Sequence, residues 1–190
     1  QYAQYDAIIK LGREPGQRLE AAAELDGLIG ADPRQPVYRW TQGILYGSMA
    51  YSTQDAALAQ RALSRFSEAG ELGMDSAVLR LNLAALSAQI GDMEAVAAHL
   101  ERMAEYAPES ALMLANAALA AERWGLPDSA RSLWARLLLI ENIGETNVAL
   151  MPGIAGSAVA QEFEMPALFE EGAATALLAA GRNDEAAALL

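Results

Sequence analysis

Two asparagines, Asn82 and Asn116, are the residues whose type and spacing most suggest chemistry in this sequence. They stand 34 positions apart, and each lies within an apolar stretch that has helical spacing. A carboxamide both donates and accepts hydrogen bonds, yet side-chain amides in the interior of a helix lower its stability. The repeated asparagine therefore indicates either an inherited structural pattern or a polar contact with a ligand.

Catalytic and metal-binding residues are not expected. His99 is the only histidine and cysteine is absent, which excludes two-histidine mechanisms, thiol catalysis and cysteine-type zinc sites. Glu94 and Glu101 have the spacing of a solvated helix face and not that of an acid–base pair. The stretch 152–156 lacks the Gly-Lys-Ser/Thr that follows a phosphate-binding loop. We predict no enzyme activity, no cofactor and no metal.

The charge of the chain argues against nucleic acid and membrane partners. Its net charge is −12, from 25 acidic and 13 basic residues, and Lys10 is the only lysine. Phosphate backbones and anionic lipids repel such a chain. The longest uncharged stretch, 146–161, is interrupted by Pro152, so no direct membrane insertion is expected.

An internal repeat supplies the helices that would position the asparagines. Residues 77–140 align with themselves when the sequence is shifted so that Ala77 falls on Ala111. A period of 34 that contains two apolar helical patterns divided by a glycine is a helix–turn–helix unit. The other aligned pairs are Asn82 with Asn116, Gly91 with Gly125, Val96 with Ala130, Leu100 with Trp134, and Met103 with Leu137.

The chain therefore resembles the tetratricopeptide-repeat (TPR) family, in its bacterial type. The resemblance implies an all-α fold, a right-handed superhelical solenoid of about five helix–turn–helix repeats. Residues near the family consensus continue into the preceding repeat, with the tryptophan one place late: Trp40, Gly43, Tyr46, Ala62, Phe66 and Ala69.

Under this resemblance, residues 1–190 form a single domain. The repeats are expected at 2–35, 36–76, 77–110, 111–140 and 167–190, with an insertion at 141–166. The sequence begins at Gln1 instead of Met and stops inside a helical pattern, so we also expect it to be part of a longer protein.

Turns between the paired helices are predicted from glycines and helix-capping residues. Gly91, Gly125 and Gly181 mark turns in the later repeats, and residues 12–16 are predicted as the turn of the first. The repeat at 36–76 is longer than the family norm, so residues 51–53 are expected in an extended loop. Ser52 or Thr53 is predicted to cap the following helix.

In this family the first helix of each repeat lines a concave groove, so the resemblance implies that Asn82 and Asn116 contact the backbone of a bound peptide. The surrounding floor is mostly apolar and small, which suits an apolar or helical segment. The chaperone-binding type of site, which grips a carboxylate with several basic residues, is not expected here. The other predicted groove residues are Leu81, Ala85, Gln89, Ala115, Leu119 and Arg123.

Three hypotheses for function remain open. The first is a non-enzymatic scaffold that binds a protein or peptide partner. The second is a regulatory or sensory TPR domain of a larger enzyme or membrane-anchored protein, in which the insertion 141–166 acts as an internal ligand. The third is a homo-oligomer that covers the incomplete last repeat. A cytoplasmic or a periplasmic location is compatible with the sequence.

Overall fold

The computed structural model describes residues 2–140, 148–150, 161–163, 174, 177–178 and 181–189. Consecutive helices dominate these residues, which confirms the predicted helical repeat fold. Contacts divide the chain after Val96 into an N-terminal body, described over residues 2–96, and a C-terminal body that begins at Ala97. The helices are α1 (Tyr2–Arg13), α2 (Arg18–Ala31), α3 (Pro36–Thr53), α4 (Ala56–Ala69), α5 (Ala77–Gln89), α6 (Met93–Tyr106), α7 (Ala111–Arg123), α8 (Pro127–Leu137) and α9 (Asn183–Leu189).

Three turns between helices lie at the glycines that were predicted from the sequence. Gly91, Gly125 and Gly181 have φ angles of +81°, +73° and +74°. A side chain at such a φ is strained, so glycine suits these positions. Short segments join the earlier helices: a 3₁₀ turn at Pro15–Gln17 and a π-helical turn at Gly70–Met74.

The extra length of the second repeat lies in α3 and not in the expected loop. α3 has 18 residues against 13 for α5 or α7, and Gln54, which follows its last residue, has a φ of +56°. Asp55 caps α4 by accepting hydrogen bonds from two amide groups at its start. The prediction that Ser52 or Thr53 is the cap is wrong, because both hydroxyls donate to the Met49 carbonyl in the last turn of α3.

Gly12 is predicted from the sequence to lie in the first turn, but it is buried within the last turn of α1. A Cβ atom added there would lie 2.7 Å from Cδ2 of Leu45 in α3. Glycine therefore allows α1 and α3 to approach closely, and the turn itself begins at Glu14.

The main core of the N-terminal body is organised around Phe66 of α4. Its ring lies against Gly43, where an added Cβ would be 2.7 Å from Cδ1, and it makes an edge contact with Trp40 at 5.2 Å between ring centroids. α3 and α4 share an extensive interface. The larger buried side chains of this core are Ile8, Leu25, Leu28, Leu45, Leu79, Leu83 and Leu86.

Buried Gln42 links α3 to α2. Its Nε2 donates to the Ala22 carbonyl at 2.6 Å and to Oδ1 of Asp26 at 2.8 Å. A buried amide without such partners would cost free energy, so these bonds fix how the two helices pack.

Glu68 of α4 forms an ion pair with Arg39 of α3. Its carboxylate accepts from Arg39 at 2.9 Å, from Arg65 at 3.0 Å and from the Ser64 hydroxyl at 3.0 Å. Partial burial raises the pKa of Glu68, but the Ser64 and Arg39 hydrogen bonds and the Arg65 charge outweigh it, so the pKa is lowered.

In the C-terminal body, α7 and α8 form a hairpin around buried Trp134. The indole Nε1 donates to Oε1 of Glu122 at 2.7 Å, and Ser110 caps α7 by accepting from the Met113 amide. Burial of Ala130, Trp134 and Leu137 agrees with the alignment of this repeat.

Two short strands, which the sequence did not predict, lie in the expected insertion. β1 (Val148–Leu150) pairs antiparallel with β2 (Gln161–Phe163), with Val148 opposite Phe163. The backbone of β1 lies against α7 within the C-terminal body. Residues 151–160 of the expected insertion lie outside the described residues.

Candidate functional site

The N-terminal body places Asn82 on α5 with only 4% of its surface exposed. Its Nδ2 donates to the Val78 carbonyl, four residues earlier, at 2.9 Å. Leu81 and Ala85 are half-buried. Gln89, at the end of the same helix, donates from Nε2 to the Ala50 carbonyl of α3 at 2.8 Å. This bond links the first helices of two successive repeats.

In the C-terminal body, Asn116 on α7 repeats the arrangement. It is 6% exposed, and its Nδ2 donates to the Leu112 carbonyl at 2.7 Å. Ala115 is fully buried, Leu119 is half-buried and Arg123 is exposed. The residues predicted to line the groove therefore differ in accessibility. Fewer of those on α7 are exposed than the sequence led us to expect.

Each asparagine bonds to the carbonyl of an exposed apolar residue. Val78 is 44% exposed and Leu112 is 37% exposed, and they occupy equivalent places in their repeats. Neither residue was predicted from the sequence, although the shift that aligns Asn82 with Asn116 also aligns Val78 with Leu112. Exposed aliphatic side chains at repeated places are suited to bury apolar surface against a partner.

A second surface feature, found only in the structure, is a groove between α1 and α3, with a volume of about 430 Å³. We call it the α1–α3 groove. Both helices contribute residues at i, i+3, i+4, i+7 and i+8, which is one helical face. The lining residues are Tyr5, Ile8, Ile9, Gly12 and Arg13 from α1, Val37, Trp40, Thr41, Ile44 and Leu45 from α3, and Met74.

Three contacts between α1 and α3 fix the spacing of the helices around this groove. The hydroxyls of Tyr5 and Thr41 are hydrogen-bonded at 2.7 Å, and the ring of Tyr5 contacts that of Tyr38 at 5.4 Å between centroids. Two turns further along α1, Gly12 approaches Leu45. Contacts between α1 and α3 therefore hold the walls of the groove in place near both of its ends.

Among the described residues, Arg13 is the only charged one that lines the groove. It is exposed, in the last turn of α1, which also contains Lys10. Within residues 2–140 and the shorter described segments, Arg13 forms no ion pair. A guanidinium in this position is available to a carboxylate.

Metal and acid–base chemistry find little support among the described residues. No group of three or more histidine, aspartate or glutamate side chains there is arranged to hold a metal ion. Glu101 accepts a hydrogen bond from Arg136 at 3.0 Å, whereas Glu94 is exposed. The helices that the structure describes also include none with the length and apolar character needed to span a bilayer.

The paired helices and left-handed glycine turns define a TPR-like fold, and solved structures share it. Two structures of MamA match the chain, one with 17% identity and a TM-score of 0.58 over 92% of this chain and 85% of that one. The other has 16% identity and a TM-score of 0.61 over 100% and 89%. YrrB, described as a TPR protein with an unusual peptide-binding site, matches with 14% identity and a TM-score of 0.56 over 92% and 75%.

At these identities the likeness shows the fold alone. No protein-family model matches the sequence, and no curated protein has significant sequence similarity to it.

Proposed function

We propose that this chain is a non-enzymatic scaffold that binds a peptide or a partner segment along the first helices of its repeats. The observation that carries the proposal is the repeated pairing of a buried asparagine with an exposed aliphatic residue, Asn82 with Val78 and Asn116 with Leu112. YrrB, which shares the fold, has a peptide-binding site according to its description.

The two members of each pair have different roles in this proposal. The aliphatic side chain buries apolar surface against the partner, which is the main source of affinity. The asparagine contributes less, because contact with a peptide exchanges one hydrogen bond for another, worth about 1 kcal/mol net. Loss of the aliphatic residue should therefore weaken binding more than loss of the asparagine.

The test starts with peptides selected from a random displayed library against the whole chain, with affinities measured by calorimetry. Val78→Ser and Leu112→Ser, made separately, should each weaken a selected peptide about tenfold where that residue is contacted. Asn82→Ala and Asn116→Ala should weaken it about threefold to tenfold.

Leu19→Ser is the matched control, since Leu19 is an exposed leucine on a second helix, α2. It should leave the affinity unchanged. If none of the four site variants differs from this control, the first helices of these repeats are not the binding surface.

One observation favours the alternative, a regulatory or sensory domain of a larger enzyme or membrane-anchored protein. β1, from the insertion, lies against α7, the helix that carries Asn116. A segment of the same chain competes at high effective concentration with any outside peptide. In this alternative the insertion 141–166 is an internal ligand that a signal releases.

Replacing residues 145–161 by a Gly-Ser linker of equal length separates the two functions. An internal ligand predicts tighter binding of a selected peptide, with little loss of stability. A purely structural insertion predicts unchanged affinity and a lower free energy of unfolding in urea.

Light scattering over a dilution series of both proteins tests the third hypothesis, self-association.

A further inference from the structure

We propose that the α1–α3 groove takes a bulky apolar side chain adjacent to a carboxylate from a protein partner. The inference rests on the proposed scaffold function, in that the ligand is a protein segment. It specifies the ligand chemistry for the first helices of the first two repeats, α1 and α3.

The shape of the groove is suited to a side chain. Its volume of about 430 Å³ gives room for one large side chain. Ile8 is fully buried, while Ile9, Val37 and Ile44 are only partly buried. An aromatic or large aliphatic side chain would therefore remove these three residues further from water.

The walls of the groove are held in place before any ligand binds. Trp40 is fixed by its edge contact with Phe66, which in turn packs on Gly43. Tyr5 is fixed by its hydrogen bond to Thr41. Because these side chains are already ordered, binding costs less conformational entropy than it would on a flexible surface.

Charge identifies the second part of the ligand. The chain carries a net charge of −12. Among the described residues, however, the only charged side chain that lines the groove is Arg13, which has no carboxylate partner there. A guanidinium pairs well with a carboxylate, although an exposed pair adds only about a few-fold to affinity. An acidic residue next to the apolar anchor satisfies both features.

The experiment uses the full chain with labelled methyl groups and three capped peptides, observed by NMR titration. The first is acetyl-Gly-Ser-Phe-Glu-Gly-Ser-amide, the second replaces its glutamate by glutamine, and the third replaces its phenylalanine by serine. We expect saturable shifts at the methyl groups of Ile8, Ile9 and Ile44. The glutamate peptide should bind about threefold more tightly than the glutamine peptide, and the serine peptide should cause no such shifts.

Arg13→Gln should abolish the preference for glutamate while keeping the phenylalanine-dependent shifts. Arg34→Gln is the matched control, since Arg34 is exposed and does not line the groove. It should keep the preference. The proposal is overturned by shifts that do not saturate, by equal binding of the serine peptide, or by a glutamate preference that survives Arg13→Gln. Shifts caused by protein dilution alone would assign the groove to a second copy and also overturn it.

Failure here is distinguishable from failure of the scaffold proposal. A library-selected peptide that depends on Val78 or Leu112, combined with no shift at Ile8, Ile9 and Ile44, removes the α1–α3 groove and keeps the scaffold. Groove binding without any dependence on Val78 or Leu112 keeps the α1–α3 groove and removes α5 and α7 from the proposed binding surface.

Discussion

Replacing Gly43 by alanine tests the packing of α3 on α4 most directly. The added Cβ would lie 2.7, 2.8 and 2.9 Å from three ring carbons of Phe66. These separations are shorter than the roughly 3.5–4.0 Å at which carbon atoms attract each other. The ring is fully buried and contacts Trp40, so it cannot move without disturbing the core.

The net effect is the difference between two opposing terms. Alanine in the interior of a helix is favoured over glycine by about 1 kcal/mol. Overpacking of a well-packed core costs about 1–3 kcal/mol, and the rigid ring places this site in the upper half of that range. We therefore expect Gly43→Ala to lower the free energy of unfolding by about 1–2 kcal/mol.

Gly27→Ala is the control, because Gly27 lies in the interior of α2 with no atom within 4 Å of an added Cβ. Only the helix-propensity term acts there, so this variant should gain up to about 1 kcal/mol. Both free energies come from urea unfolding followed by circular dichroism. If Gly43→Ala were as stabilising as Gly27→Ala, the close packing of Phe66 on α3 would be refuted.

The remaining predictions use the same urea assay. Trp134→Ala should cost about 3–5 kcal/mol and Trp134→Phe about 1 kcal/mol, for the lost bond to Glu122; a near-zero cost for the alanine variant would refute the alignment of that repeat. Asp55→Ala should cost about 1 kcal/mol while Ser52→Ala changes little, and equal effects would contradict the assignment of the cap. Because the folded-state pKa of Glu68 is lowered, its contribution is present above the unfolded pKa and is lost as pH falls through the folded pKa. Glu68→Gln should therefore cost under about 1 kcal/mol near neutral pH and less in acid, and a cost independent of pH would oppose this.

Much of the repeat fold could be predicted because the relevant signals are local. The left-handed turns at Gly91 and Gly125 follow from the residue type that such a φ requires. The burial of Leu100 and Trp134 follows from helical periodicity, which recurs from one repeat to the next. These features need no knowledge of what lies far away in the chain.

The features that were missed depend on distant residues. Gly12 could not be distinguished from a turn glycine, because its reason is the approach of Leu45 from α3. The length of α3 depends on which hydroxyl or carboxylate caps the next helix. The cap is Asp55, and not Ser52 or Thr53. The α1–α3 groove was missed for the same reason. The apolar faces of α1 and α3 could be recognised in the sequence, but the fact that they face each other could not.

The candidate asparagines illustrate a different limit. Their alignment predicted that they share one environment, and both indeed donate to a carbonyl four residues earlier. Whether they also contact a peptide depends on a ligand, about which a single chain contains no direct information. The exposed neighbours Val78 and Leu112 are the part of that surface that a structure adds.

The exceptional length of α3 should also affect how slowly this part of the protein opens. A long helix with an extensive interface against α4 should be the last region of the N-terminal body to open. Amide protons near Gly43 and Phe66 should then exchange with solvent more slowly than those near the exposed end of α1. The same hairpin would set the lifetime of the groove beside it, so that a bound partner would be released by its own dissociation and not by local unfolding of the wall.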